Sequence, residues 1–268
     1  MIKVHHLNDS RSQRVLWLLE ELGLDYEVVR YERDAKTRLA PPELIAVHPL
    51  GKSPVIEDGA IKVAETGAVV EYLLDAHGQG RLRPLPGTEE ARRFTYWLHY
   101  AEGSAMPPLL LKLVFGLLPR RAPALLKPLV NGIAAKAQSG FVDPQLRTHI
   151  GFWEDELGRS EWFAGDQFTA ADIMMSFPVE AGADRAFDIA TKPRLAAFLQ
   201  RIHARPAAFC LPISRLSSLR ANQKNHDTNG KSADDGRGLP CPRRSAEAIE
   251  VGRAAGRHRG HIRGPRAR

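Results

Sequence analysis

The feature that most constrains this chain is a change of hydrophobic period near residue 80. Before it, short β-branched runs alternate with amphipathic stretches; after it, the signals are almost wholly helical. Residues 2–7, Ile-Lys-Val-His-His-Leu, read as a strand closed by Asn8-Asp9-Ser10, which also starts a helix. Val15, Leu16, Leu18, Leu19 and Leu22 then recur at helical spacing up to Gly23, where a helix stops. Residues 26–31 predict a second strand, 41–47 a short helix and 53–57 a third strand. The dipeptide Asp58-Gly59 turns the chain into a hairpin partner at 61–64. Glu65-Thr66 opens a last helix, from Gly67 to about His77. The order βαβ, connecting helix, ββα defines a small α/β domain over residues 1–80, in which an antiparallel pair follows a parallel one.

A Gly-, Pro- and Arg-rich stretch without periodicity, residues 78–87, supplies a linker, set at 81–87. Residues 88–209 predict an all-helical domain. Thr88-Glu89-Glu90 places a cap and two carboxylates at a helix start. Asp143-Pro144 marks either a cap with the first helical turn or a kink. Thr169-Ala170-Ala171-Asp172 spaces a hydroxyl and a carboxylate as a capping box, and residues 193–203 form the last convincing helix. The most apolar window, 109–130, contains Lys112, Pro119, Arg120, Arg121, Pro123, Lys127 and Pro128. It is therefore read as a buried helix, a break and a second helix rather than as a membrane span.

Charge divides the chain a third time. The total of 38 Lys+Arg against 31 Asp+Glu gives +7, and the pI of 9.6 invites a nucleic-acid reading. Residues 211–268, however, hold 13 Lys+Arg and 5 Asp+Glu, a balance of +8, which leaves −1 on residues 1–210. No aromatic residue follows Phe209. A tail of this composition buries too little apolar area to offset its ordering entropy, so residues 210–268 are expected to be disordered, apart from a helical turn or two around 246–255. Nucleic acid is expected to bind, if at all, only non-specifically through this tail. Two cysteines, Cys210 and Cys241, exclude a disulfide framework and a CxxC active site. The N-terminus enters a strand directly, without signal-peptide character. A cytoplasmic protein with no membrane partner is the expectation.

Three local motifs carry possible chemistry. Ser10-Arg11-Ser12-Gln13-Arg14 sits at a strand-to-helix junction, where a hydroxyl and open backbone N–H groups serve either as a plain N-cap or as anion donors. In His48-Pro49-Leu50-Gly51-Lys52-Ser53-Pro54-Val55-Ile56, Pro54 opens a strand. A cis bond there can turn the backbone of Ser53 outward, to pair with an extended peptide; an ordinary turn is the other reading. At Glu65-Thr66 a helix start offers N–H groups to a carboxylate while Glu65 can pair with an ammonium, or else Thr66 is merely a cap. His5, His6 and His99 make no metal-ligand pattern with neighbouring carboxylates or thiols, so no metal is expected. Tyr96, Trp97, Tyr100 and Met106 share a helix face that lines either a pocket or the core.

Taken in order, these motifs resemble the glutathione-binding domain of the cytosolic glutathione transferases. The likeness continues through Trp17-Leu18-Leu19-Glu20-Glu21-Leu22-Gly23 and through Ala40-Pro41-Pro42-Glu43-Leu44, and looks most like the Gtt-type branch of bacteria and fungi. Thr169 to Asp172 matches the capping box of the family's helical domain. The resemblance covers about residues 1–207. It implies a thioredoxin-like domain followed by a helical bundle, a homodimer, and glutathione as co-substrate for attack on a small hydrophobic electrophile, with peroxide reduction as a second activity. Residue by residue it implies that Ser53 pairs with the cysteinyl backbone, that Glu65 and Thr66 hold the γ-glutamyl group, and that Lys52 reaches the glycine carboxylate. Ser10 is the nearest hydroxyl for thiol activation, with Ser12 in reserve and Asp9 a poor stabiliser of a thiolate. The fold also serves non-catalytic binding and assembly proteins, which is the competing reading.

Overall fold

The structure is a computed structural model that describes residues 1–209 and, as a two-residue strand, 249–250. Five strands form one sheet in the order β4-β3-β1-β2-β5. β1 (Ile2–Leu7) lies parallel to β2 (Tyr26–Tyr31), in register from Ile2↔Tyr26 to Leu7↔Tyr31. β3 (Val55–Asp58) pairs antiparallel with β1 and, through a hairpin at Gly59, with β4 (Ile61–Ala64). The alternation along β1 assigns its faces. Ile2 and Val4 pack with α1 (Gln13–Leu22) and α3 (Thr66–His77), while Leu7 packs with Tyr31 and with Leu44 of α2 (Pro42–Val47). α1 ends as Gly23 predicts: φ is +63° and its N–H bonds back to Glu20 and Leu19. This is the thioredoxin-like half.

Several boundaries move by one or two residues relative to the sequence reading; α2, for one, starts at Pro42 with Pro41 in the cap position. The third strand starts at Val55 rather than 53, because Pro54 has no N–H for the ladder and the side chain of Ser53 is used on β1. The last helix starts at Thr66, with Glu65 rather than Thr66 in the cap position. Within the tail, Ile249–Glu250 (β5) is extended and not helical, pairing in parallel with Val29 and Arg30 of β2. The outer edge of β2 offers unpaired N–H and C=O groups, which a short strand satisfies. The remainder of 210–268, with both cysteines and the expectation of disorder, lies outside the described residues.

The second half is helical throughout. α4 (Glu89–Tyr100) continues through a π-helical segment, Ala101–Ala105, into α5 (Met106–Arg121). α6 (Lys127–Ala137) passes through a second π segment, Gln138–Val142, into α7 (Asp143–Glu156), whose first turn holds Asp143-Pro144, with Val142 rather than Asp143 in the cap position. α8 (Ala170–Arg185), α9 (Pro193–His203) and α10 (Pro206–Phe209) complete it. Thr88 caps α4 by accepting from the N–H of Ala91 at 3.2 Å. The capping box of α8 is complete: Asp172, fully buried, accepts from the Thr169 and Phe163 N–H groups, both at 2.9 Å. Trp97, Trp153, Phe163 and Phe198 fill the centre. The helical rod Glu89–Arg121 is long and apolar enough to cross a membrane, but Phe94, Trp97, Leu98 and Leu109 along it belong to this core.

The window 109–130 is not the buried helix its apolarity suggests. Only Met106, Pro108 and Leu109 of α5 are buried, while Leu110, Val114, Leu118, Leu125 and Leu129 are exposed. The leucines of α5 beyond Leu109 face a cleft or the surface or are only partly buried. The connecting stretch is tied to both halves. Arg81 donates to the carbonyl of Leu22 at 2.8 Å, and the N–H of Ala170 donates to Leu82 O at 2.9 Å.

Candidate active site

A cleft of about 770 Å³ opens where the end of β1 meets α5 and α8. Ser10, Lys52, Ser53, Pro54, Glu65 and Thr66, the residues singled out from sequence, all line it. They arrive from three loops, after β1, before β3 and after β4, that the sheet order β4-β3-β1 brings to one edge.

The first loop follows β1. Asn8 accepts from the N–H of Arg33 at 2.8 Å, and Asp9, with φ +52°, pairs with Arg38 at 2.6 Å. This turn presents Ser10 to the cleft. α1 begins at Gln13 with Ser12, not Ser10, at the cap position, and Ser12 makes no side-chain cap bond. Ser12 is fully buried and does not line the cleft. Its Oγ lies 2.7 Å from Ser10 Oγ and 2.7 Å from His6 Nδ1.

The second loop carries the Ser53–Pro54 bond, which is cis as the sequence reading anticipates. Ser53 Oγ donates to His5 O at 2.8 Å and accepts from the Leu7 N–H at 3.2 Å, fastening the loop to β1. Lys52 beside it is exposed. In the third loop Glu65 has φ +73° and ψ 128°, a backbone region costly for any residue with a Cβ. No side chain caps α3, which leaves its first-turn N–H groups and dipole to the cleft that Thr66 lines.

The opposite wall is mainly apolar: Met106, Leu110, Leu113 and Leu117 of α5, and Phe177 of α8, with Arg121 and Arg185 of the same two helices also in the lining. Of the four aromatic-stripe candidates, only Met106 lines the cleft. Trp97 and Tyr100 are buried, and the Trp153 indole N–H donates to Tyr100 Oη at 3.1 Å. Burial pushes the Tyr100 phenol up to about 12. Tyr96 stacks on Tyr100 at the surface, with ring centroids 5.3 Å apart. The leucine wall was readable as a stripe spaced 4, 3 and 4 along 106–117, but reading the window as core concealed it. Phe177, Arg121 and Arg185 enter the lining only through helix placement, which no local pattern encodes.

The two halves are locked beside the cleft. Arg14 is buried, donates to Met174 O at 3.0 Å, sits 5.3 Å from the centroid of Phe177, and pairs with Glu102, which also pairs with Arg11. Among the described residues no group of three or more His, Cys, Asp or Glu side chains could hold a metal ion.

A thioredoxin-like sheet with a helical domain over its loop edge, and a hydroxyl-lined cleft between them, defines the two-domain glutathione-transferase fold. Residues 1–75 match the glutathione S-transferase N-terminal domain and residues 127–208 its C-terminal domain. Glutathione S-transferase 1 of Saccharomyces cerevisiae is 35% identical over 195 residues, spanning 70% of this chain and 83% of the yeast protein. Glutathione S-transferase 3 of Schizosaccharomyces pombe is 34% identical over 182 residues, or 68% and 74% of the two chains. The crystal structure of a glutathione S-transferase from Actinobacillus pleuropneumoniae, 32% identical, superposes with a TM-score of 0.60 over 84% of this chain and 93% of that one. A sphingomonad glutathione S-transferase complexed with glutathione, at 23% identity and TM-score 0.59, shares the fold. This chain belongs to the glutathione S-transferase family. The fungal relatives agree with the branch that the sequence resembles.

Proposed function

We propose that this enzyme binds glutathione in the cleft and holds its sulfur as a thiolate for attack on hydrophobic electrophiles. The observation that carries this reading is the meeting of Ser10, Lys52, Ser53, Glu65 and Thr66 on one side of a cleft whose other side is mainly apolar. In it, Ser53 pairs with the cysteinyl backbone as an added strand. Thr66 and the α3 N-terminus take the γ-glutamyl carboxylate, Glu65 takes its ammonium, and Lys52 takes the glycine carboxylate. Ser10 donates to the sulfur. A free thiol loses its proton at a pH of about 8.5, and a hydroxyl donor beside a helix N-terminus brings that toward neutrality. The proton leaves to solvent; the sulfur then forms a bond to carbon as the carbon–leaving-group bond breaks and the leaving group departs with its electron pair. With a peroxide, the sulfur takes the terminal oxygen, the O–O bond breaks to release an alcohol, and a second glutathione yields disulfide and water.

The divisions of the chain at 80, 88 and 210 follow the same reading, with glutathione held by the first part and the electrophile against the second. Homodimerisation belongs to it as well, supported by exposed Leu125, Leu129, Ile133 and Phe141 on the outer face of the helical half, which a second copy would cover. A cytoplasmic setting fits the near absence of cysteine.

Retention on immobilised glutathione, followed by turnover with an aryl halide, tests the proposal. Ser10→Ala is expected to lower kcat about 100-fold with little change in glutathione affinity, as for loss of one donor to a developing anion. A folded wild-type protein that neither binds glutathione nor conjugates the halide overturns it in favour of a non-catalytic role. Sedimentation of a monomer at assay concentration overturns the dimer.

A further inference from the structure

The hydroxyls of Ser10 and Ser53 in the cleft lining and of Ser12 behind it have one proton each, and their contacts fix where those protons point. Ser53 Oγ spends its proton on His5 O, at 2.8 Å, and accepts from the Leu7 N–H. In the 3.2 Å contact between Ser10 and Ser53, Ser10 is therefore the donor. With its proton on the cleft side, Ser10 must be the acceptor in its 2.7 Å contact with Ser12, and it also accepts from the Ser12 N–H at 3.4 Å. Ser12 has then spent its only proton, so its 2.7 Å bond with His6 has Nδ1–H as the donor. The chain runs one way: His6 Nδ1–H to Ser12, Ser12 to Ser10, and Ser10 to Ser53 in the cleft lining, from which the Ser10 proton can turn to a bound sulfur while Ser10 still accepts from Ser12.

We infer that His6 is a positioning residue which, through the buried Ser12, holds the Ser10 hydroxyl as a donor toward the thiol-binding cleft. With the other imidazole tautomer, Nδ1 would draw the Ser12 proton, Ser12 would draw that of Ser10, and Ser10 would turn a lone pair to the cleft. A lone pair repels a thiolate; a proton stabilises it. His6 is well placed for this role because it is set in β1 opposite Arg30 and its neutral form is favoured, first by burial and then by the Arg30 charge, against Glu32. It lies behind the cleft rather than in its lining, so it acts only through the two serines.

The inference rests on glutathione binding as proposed above. It is tested with the isosteric pair His6→Asn and His6→Asp, whose side chains put a donor or an acceptor near the position of Nδ1. The readouts are the ultraviolet thiolate absorbance of bound glutathione against pH, and kcat and KM separately. His6→Asn is expected to stay within about threefold of wild type, and His6→Asp to raise the bound-thiol pKa by about one unit and lower kcat about tenfold, with KM for glutathione little changed. In a Ser10→Ala background the Asn and Asp variants should coincide, which separates the chain from a simple charge effect. Equal behaviour of the two variants with Ser10 present overturns the inference, and so does an undiminished difference between them with Ser10 absent. Nitrogen NMR of the wild-type protein gives a measurement independent of variant folding: an Nε2–H tautomer for neutral His6 overturns it, an Nδ1–H tautomer supports it. A wild-type protein without a thiolate signal removes the function proposed above and this inference together. An active wild type with indifferent His6 variants removes this inference alone.

Discussion

Arg14, buried at the second position of α1, forms an ion pair with Glu102 in the π segment between α4 and α5, which joins the two halves next to Ser10 and Phe177. A buried guanidinium needs its charge balanced, and Glu102 supplies that balance; Glu102 and Met174 O accept from the two terminal nitrogens, while Nε has no partner. Glu102→Gln is expected to cost about 3 kcal/mol in urea unfolding, because it leaves the Arg14 charge unbalanced. Arg11, the second partner of Glu102, is partly solvated, and Arg11→Gln should cost no more than about 1 kcal/mol. Similar losses for the two variants would show that the pair does not act through burial of Arg14.

Glu65 combines a positive φ with the placement expected of a ligand contact. The strained backbone costs on the order of 1–3 kcal/mol, and glycine relieves it while adding freedom to the unfolded chain. Glu65→Gly should therefore leave thermal stability unchanged or slightly raised, yet raise the KM for glutathione about tenfold through loss of the ammonium partner. Glu65→Gln should raise KM similarly without the backbone relief. A Glu65→Gly protein that is destabilised and binds glutathione normally would reverse the assignment, making Glu65 structural.

The first half was legible because its periods are local. Strands 2–7, 26–31 and 61–64 fall where alternation and turn residues put them, and Gly23 ends α1 as a left-handed cap. The site was legible in part for the same reason, since Ser10, Ser53 and Glu65 each sit at an element end that local chemistry marks. The apolar wall of the cleft was not, because apolarity alone does not distinguish a helix buried on all sides from one that borders a cleft. Leu113 and Leu117 belong to the second kind. Nor does anything near Arg14 or His6 in sequence announce Glu102, 88 residues away from Arg14, or the hydroxyl chain to Ser10.

Asp172 gives a pH signature for the helical half. Complete burial pushes its carboxyl from 3.8 up to about 6, against hydrogen bonds from Phe163 and Thr169 that favour the ionised form. Between those values the native state holds more proton than the unfolded chain, so this group's contribution to stability falls as pH rises from about 4 to about 6 and is level above. Asparagine has one acceptor oxygen for the two N–H donors that Asp172 satisfies at 2.9 Å. Asp172→Asn should therefore cost about 2 kcal/mol at neutral pH. Its deficit against wild type should widen toward pH 4, where the wild-type carboxyl is relieved of charge. A deficit independent of pH, in unfolding curves at pH 4.5 and 7, would mean that Asp172 titrates alike in both states.

The leucine wall predicts a separation of the two substrates. Leu113 lines the cleft from α5, on the apolar wall. Shortening it to alanine removes apolar contact with any bulky electrophile, worth about 1–2 kcal/mol for a side chain that is itself only partly buried. Leu113→Ala should thus lower kcat/KM for an aryl halide about tenfold, through KM for the halide, and leave KM for glutathione unchanged. A small peroxide needs no wall, so its turnover should be unaffected by the same substitution. Equal losses with halide and peroxide would place Leu113 in the support of the glutathione side rather than in the electrophile site, and the apolar wall would lose its role in substrate choice.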